Sequence, residues 1–328
     1  MKFFRIINKV FTFLYFLIKF KHFKTAFLFS HYQVPFSSSA TLARKGNEIE
    51  FLLTRNSIPL DQLEIFKERL VTLIKVLNSK DAKIEKILPL GFVMSFKGVV
   101  FKVLSVFNIA TAKEVFIENI YNIKLPANHA VILDIGLNVG YASLYFSQMN
   151  EIDHIYSFEP FEGTFQEARE NINLNIAARN KITIKNQGVS NYNGSIKVPL
   201  LESGSAVGST NQKFIENNLS NIKGGQFTEV QVQIVDIKDV LNDIIAENLG
   251  QPIYIKLDCE GEEYQIMSSI EENGLLASIS GFIIEWHLRG PDPLISILSK
   301  NNYTMLHFPR HIDIGIKEAE TGMIYAFK

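Results

Sequence analysis

The chain has 328 residues, a formal net charge of −1 and a single cysteine. Its length suggests about two domains and ample material for a large core. The balanced charge supplies no basic footprint for nucleic acid. Cys259, alone in the chain, excludes an intramolecular disulfide and fits a reducing, cytoplasmic setting.

Residues 1–30 contain Lys2, Arg5, Lys9, Lys19, Lys21 and Lys24 and no acidic residue. On a helical wheel Lys2, Arg5, Asn8, Lys9, Thr12 and Lys19 share one stripe. Phe3, Phe4, Ile6, Ile7, Val10, Phe11, Phe13, Leu14, Leu17 and Ile18 cover the rest, and Phe16 and Phe20 interrupt the polar side. The apolar run is shorter than the roughly twenty residues a membrane span requires. Lys19 to Lys24 also separate it from Ser38-Ser-Ala40, against a secretory signal. A basic amphipathic helix lying at the inner membrane face is the expectation, with a helix packed on protein as its rival.

Residues 31–125 predict a helix-and-hairpin region. Asp61-Gln-Leu-Glu64, after Pro59, is spaced like a capping box. Leu63, Phe66, Leu70, Leu73, Ile74 and Leu77 recur at helical spacing to about Asn78. Gly91-Phe-Val-Met-Ser-Phe96 and Val99-Val-Phe-Lys-Val-Leu104 flank Lys97-Gly98 as a hairpin. A further helix is expected over Ala112–Tyr121. No internal repeat is visible.

Residues 126–328 predict a mostly parallel α/β sheet. The apolar run ending in Asp134 reads as a buried strand. Gly136 and Gly140 then allow a tight turn and close approach of backbone to a ligand, and Tyr141–Ser147 follows as a helix whose amino end faces that ligand. A second apolar run, His154–Phe158, ends in Glu159-Pro160, which places a carboxylate to accept ribose hydroxyls. A dinucleotide cradle requires G-x-G-x-x-G. Here the spacing is D-x-G-x-N-x-G, with Asn138 where that pattern has glycine, and an acid before the first glycine suits a cationic ligand better than a diphosphate. S-adenosylmethionine is therefore preferred over a nicotinamide dinucleotide, held by Asp134, Gly136, Asn138, Gly140 and Glu159.

The second constellation is Ile253-Tyr-Ile-Lys-Leu-Asp-Cys-Glu-Gly-Glu-Glu-Tyr264. Alternation puts Lys256, Asp258 and Glu260 on one side as the chain leaves the sheet, and Cys259 on the other, toward the core. Ionisable groups leaving an apolar strand are costly unless paired or used. A Lys256–Asp258 structural ion pair with solvated acids is the bland account. Between the two constellations, 201–228 is rich in Gly, Ser and Asn and reads as an acceptor-binding lid. Val230–Ile234 resumes a strand, Asp236 starts a helix, and Gly281–His287 is the next strand. Tyr303–His307 and Met323–Phe327 fit a final antiparallel pair.

Taken in order, Asp134, Gly136, Asn138 and Gly140, then Phe158-Glu159-Pro160, then Lys256, Asp258, Glu260, Gly261 and Glu263, then Ile283-Ile-Glu285, resemble the FkbM-type family of S-adenosylmethionine-dependent O-methyltransferases. The likeness runs from about Val131 to His287, and Leu137 departs from it by replacing a small residue in the cofactor turn. It implies a class I methyltransferase fold, S-adenosylmethionine as donor, and an oxygen acceptor such as a sugar or natural-product hydroxyl.

Methyl transfer to an alcohol needs in-line positioning and removal of a proton. His287 is the first candidate base, with Glu285 beside it as orienter. Asp258 or Glu260 is the rival base. As a less favoured arrangement those two carboxylates hold a hard cation such as Mg²⁺, and no metal ligand set is assigned. The expected enzyme is an O-methyltransferase with Asp258, Glu260, Glu285 and His287 facing a sugar or glycan hydroxyl. The alternative is a non-catalytic cofactor-binding or membrane-docking scaffold on the same fold.

Overall fold

The computed structural model describes residues 2–126, 128–201, 227–313 and 318–328. The chain forms two compact units, Met1–Ile120 and Tyr121–Lys328.

In the first unit the basic amino-terminal segment is a helical hairpin. Helix α1 (Lys2–Phe20) ends where Lys21 takes a left-handed φ of 48°, and α2 (Phe23–His31) begins under a cap from the His22 ring, which accepts the Thr25 N–H. Phe16 and Phe20, which interrupt the polar stripe, are buried because their rings pack on Phe29 of α2 at 5.4 and 5.1 Å. The Ser30 hydroxyl also donates to the Lys9 carbonyl at 3.0 Å. Among the described residues no helix is long and apolar enough to cross a membrane. After α3 (Phe36–Ala40), strands β1 (Leu42–Lys45), β2 (Glu48–Phe51) and β3 (Ser57–Pro59) form a small antiparallel sheet that hydrophobic patterning does not announce.

The helix expected over 61–78 is shorter than its periodicity suggests. Leu60–Glu64 and Lys67–Arg69 are 3₁₀ turns, and only α4 (Leu70–Leu77) is α-helical. Leu60, Leu63 and Phe66 are all buried, and a three-residue period serves 3₁₀ turns as well as a helix. The hairpin is present as β5 (Phe92–Phe96) and β6 (Val99–Val103), extended by β4 (Ala82–Ile87). The last helix starts earlier than expected. Ser105 accepts the Asn108 N–H and opens α5 (Val106–Ala112), which widens into a π turn over Lys113–Ile117.

The second unit is built on β7 (Ala130–Ile135), α6 (Tyr141–Ser147), β8 (Ile152–Phe158), α7 (Glu162–Asn173), α8 (Ile176–Arg179) and β9 (Ile182–Lys185). There follow β10 (Gly188–Ser190), β11 (Gly194–Leu201), β12 (Phe227–Asp236) and α9 (Ile237–Glu247). The chain ends through β13 (Ile253–Leu257), α10 (Glu263–Glu272), β14 (Ile279–His287), α11 (Asp292–Lys300), β15 (Thr304–Asp313) and β16 (Glu318–Phe327). The main sheet has the order β15-β16-β14-β13-β7-β8-β9, with β16 antiparallel to both its neighbours. This is the expected class I methyltransferase arrangement.

Strand alternation separates the two faces. Val131, Leu133 and Ile135 of β7 and Ile253, Ile255 and Leu257 of β13 join one core with α9, α10 and α11. Asp134 points the other way, to Ser143 of α6. The chain runs outward from β7 through β8 to β9, then returns to β13 on the other side of β7. That reversal opens a crevice at the carboxyl ends of β7 and β13, where ligands of open α/β sheets lie.

The expected lid lies between two strands. Leu201 pairs with Phe227 and Leu200 with Thr228, so those residues are sheet. The interior of the lid, 202–226, lies outside the described residues.

Candidate active site

The glycine turn after β7 leans directly on the acidic turn after β13. A Cβ at Gly136 would stand 1.9 Å from the Asp258 carbonyl oxygen, and Gly136 has a φ of 91°. Only glycine allows this approach. The Asp258 N–H donates to the Ile135 carbonyl at 3.1 Å, and the Leu137 N–H donates to the Phe158 carbonyl at 2.9 Å. Leu137 is 1% exposed, so its side chain is taken up in packing and does not narrow the turn. Asn138 has a φ of 51°, a conformation asparagine tolerates better than most residues. Gly140, at φ 88°, caps α6.

Glu159 closes this turn from the end of β8. Its Oε2 accepts the Asn138 N–H and its Oε1 the Phe161 N–H, each at 3.0 Å. Burial pushes the carboxyl up to about 7, partly opposed by those two backbone donors. Asp134 has a different surrounding from the one its sequence position suggests. It is fully buried, accepts the Ser143 hydroxyl at 2.5 Å, and lies 3.0 Å from Lys256 Nζ. Its charge is spent beneath the turn instead of being offered to a ligand.

Lys256, 2% exposed, is the hub of this layer. Its Nζ donates to the Gly136 carbonyl at 2.6 Å and also lies 3.5 Å from Asp258. Burial alone would lower its pKa, but the Asp134 and Asp258 carboxylates more than offset that and hold it above the usual lysine range. The Lys256–Asp258 pair is therefore one arm of a larger network, and Asp258 also accepts the Tyr121 hydroxyl at 3.4 Å.

Beyond Asp258 the chain turns through Glu260 at φ 55°. One ligand-type atom each from Asp258, Glu260 and His287 lie within 4.8 Å of one another. The residues expected to face an acceptor thus include three that do converge. The carboxylate holding His287 Nδ1 is Glu263, at 2.9 Å, rather than the expected Glu285. Glu263 is fully buried and also accepts the N–H groups of Cys259 and Gly261 at 3.1 and 2.9 Å. Glu285 sits on the same face of β14 two residues earlier, where its Oε1 lies 3.4 Å from the Thr321 hydroxyl.

This setting changes the role open to His287. Burial opposes its charge, but Glu260, Glu263 and Glu285 together raise its pKa well above the usual value. Those carboxylates favour the charged imidazolium, which weighs against His287 as a free base. Cys259 is half-buried and packs against the main core, and burial with the Glu263 and Glu262 charges raises its thiol well above the ordinary value.

Sequence reasoning names Glu263 only as part of the motif, not as the partner of His287, and it misses Ser143 and Tyr121. Glu263 reads as a solvated acid at a helix start. Nothing local ties Tyr121 to Asp258, which lies 137 residues along the chain.

Comparisons with known proteins place this geometry in a family. Residues 134–305 match the family described as the methyltransferase FkbM domain. A protein named Methyltransferase 1, from Beauveria bassiana (strain ARSEF 2860), is 27% identical over 168 residues. The match spans 49% of this chain and 66% of that relative, just under two thirds of its length. Among solved structures, methyltransferase FkbM from Methylobacillus flagellatus KT aligns at 14% identity and a TM-score of 0.39, covering 67% of this chain and 52% of that one. M. jannaschii TYW2, solved in complex with AdoMet, aligns at 13% identity and a TM-score of 0.39, covering 74% and 88%. The family match takes in more than half of the chain and contains every residue of the crevice described above except Tyr121 and Thr321, so the chain belongs to the FkbM methyltransferase domain family.

Proposed function

We propose that this protein transfers the methyl group of S-adenosylmethionine to a hydroxyl oxygen of a sugar or glycan intermediate. The observation that carries the reading is Glu159. Its carboxylate stands at the tip of β8, braced by two backbone N–H groups, beside a glycine turn at the point where strand order reverses. A carboxylate so placed is suited to the two hydroxyls of a nucleoside ribose. Gly136, Asn138 and Gly140 provide the close backbone approach. Asp134 and Lys256 hold the turn from below.

The acceptor would lie over Asp258, Glu260 and His287. A sulfonium methyl is already activated, so the protein's work is alignment and removal of the acceptor proton. With His287 carrying its own proton, Asp258 or Glu260 takes the role of base. Glu285 and Glu263 support the imidazolium from behind.

The same reading sets the enzyme at the inner membrane face. Phe11, Leu14, Tyr15 and Ile18 of α1 and Phe23 and Phe27 of α2 are exposed, with Ile18 at 76% and Phe23 at 68%. Lys9, Lys21 and Lys24 are exposed among them. Large apolar side chains interleaved with lysine suit an anionic lipid interface.

The test is calorimetric titration with S-adenosylmethionine and S-adenosylhomocysteine, with Glu159→Ala as control. Micromolar binding lost in the variant supports the donor site and warrants a screen of sugar acceptors with labelled methyl. No binding of either compound to the wild type would refute it.

A further inference from the structure

We propose that Asp258, Glu260 and His287 form a divalent-metal site that binds and acidifies the acceptor hydroxyl. The inference deepens the methyltransferase reading and rests on it for the acceptor, but the metal site itself can be tested alone.

Three features carry it. First, the three ligand atoms come from two different strand ends and lie within 4.8 Å of one another. Ligands about 2.1 Å from one ion stand roughly 3–4 Å apart, so small side-chain shifts would bring the cluster to the dimensions of a coordination sphere. Second, the His287 Nε2–Glu260 Oε2 separation is 3.6 Å. That is an ion-pair distance, longer than a hydrogen bond, and it also suits two ligands of a shared ion. Third, the other ring nitrogen is already engaged. Buried Glu263 holds Nδ1 at 2.9 Å, the carboxylate–histidine arrangement that fixes a metal-ligating imidazole, and a bound ion would displace the Nε2 proton that the carboxylates otherwise favour.

The surroundings leave room for a substrate. The Asp258 and Glu260 side chains are 29% and 30% exposed, while that of His287 is 12%. Three protein ligands on one side leave open positions toward solvent for water or an acceptor oxygen. One imidazole with two carboxylates suits a first-row dication such as Mn²⁺ better than Mg²⁺, which prefers oxygen ligands alone. With Asp258 and Glu260 taken up as ligands, neither serves as base when the ion is bound, and the acceptor hydroxyl would lose its proton to solvent water while held on the ion. Its oxygen would then attack the methyl carbon, the carbon–sulfur bond would break with its electron pair going to sulfur, and the sulfonium would become a neutral thioether. The metal changes no oxidation state.

The probe is Mn²⁺ alone, added to the full-length protein freed of metal, with free aqua Mn²⁺ followed by electron paramagnetic resonance and binding confirmed by calorimetry. One site per chain is expected in the wild type. Glu260→Gln and His287→Ala should each weaken it at least tenfold with S-adenosylhomocysteine affinity near wild type; Glu260→Gln should also keep the wild-type melting temperature, whereas His287→Ala strands buried Glu263 and lowers it. Absence of Mn²⁺ binding to the wild type, or equal binding by both variants, overturns the site. Mn²⁺ binding without S-adenosylhomocysteine binding would uphold the metal site while removing the methyltransferase reading.

Discussion

Lys256 Nζ lies 3.0 Å from Asp134 Oδ1, and neither side chain is more than 2% exposed. Two charges held this deep are expensive to desolvate, and taking away one strands the other. Lys256→Met should therefore cost about 3–5 kcal/mol in urea unfolding. Adding Asp134→Asn should restore most of that loss. If Lys256→Met unfolds like the wild type, the pair does not brace the glycine turn.

Gly136 and Gly140 both have positive φ, yet they should respond differently to a methyl group. At Gly140 the added carbon would meet Ala168 at 3.4 Å, so Gly140→Ala carries mainly the strain of a left-handed residue, about 1–2 kcal/mol. At Gly136 it would collide with the Asp258 backbone at 1.9 Å, and the two turns must separate. Gly136→Ala should be the more destabilising of the two and should abolish S-adenosylhomocysteine binding. Melting curves and calorimetry on the pair decide this, and equal effects would refute the contact.

The parts of this site legible in the sequence are those written in adjacent residues. The apolar run to Asp134, the glycine spacing and Glu159 at the end of the next run place one βαβ unit and its crevice. Lys256, Asp258 and Glu260 are readable as an unusual set because charge seldom leaves a buried strand. Glu263 is not readable as a buried anchor, because its partner His287 arrives from the next strand. Asp134 is harder to read for the complementary reason. Its position beside the glycine turn suggests a ligand, but its partners Ser143 and Lys256 arrive from a helix and another strand. In the first unit the run from Leu60 to Phe66 satisfies a period of three as readily as one of 3.6, so its 3₁₀ turns were indistinguishable from helix.

Glu159 should make cofactor affinity depend on pH. Its carboxyl is raised by burial from 4.5 to about 7, and two ribose hydroxyls are better accepted by the ionised form. Below about pH 7 part of the binding energy goes to removing a proton, so affinity should rise about tenfold from pH 6 to pH 8. Stability runs the opposite way. The folded pKa exceeds the unfolded one, so this group's contribution is complete below about pH 4.5 and is lost as pH rises through about 7. Calorimetry of S-adenosylhomocysteine across this range, with Glu159→Gln as control, should show the slope in the wild type alone. A flat wild-type profile would separate Glu159 from the ribose.

The helical hairpin offers its own test, because its exposed side chains differ from the buried ones that hold it together. Phe16, Phe20 and Phe29 pack on one another and are needed for the fold. Phe11, at 67% exposed, and Ile18, at 76%, are outside that cluster. Each contributes about 1–2 kcal/mol if it enters a lipid interface, so Phe11→Ser with Ile18→Ser should weaken binding to anionic vesicles by roughly one hundredfold without lowering the melting temperature. Lys9→Gln and Lys21→Gln should weaken it less, by about 1 kcal/mol each, and that effect should fade with added salt. Sedimentation with vesicles distinguishes the two terms. Retained vesicle binding by the Phe11 and Ile18 double variant would assign this face to protein packing, since an apolar surface that does not enter lipid has no other reason to respond to vesicles at all.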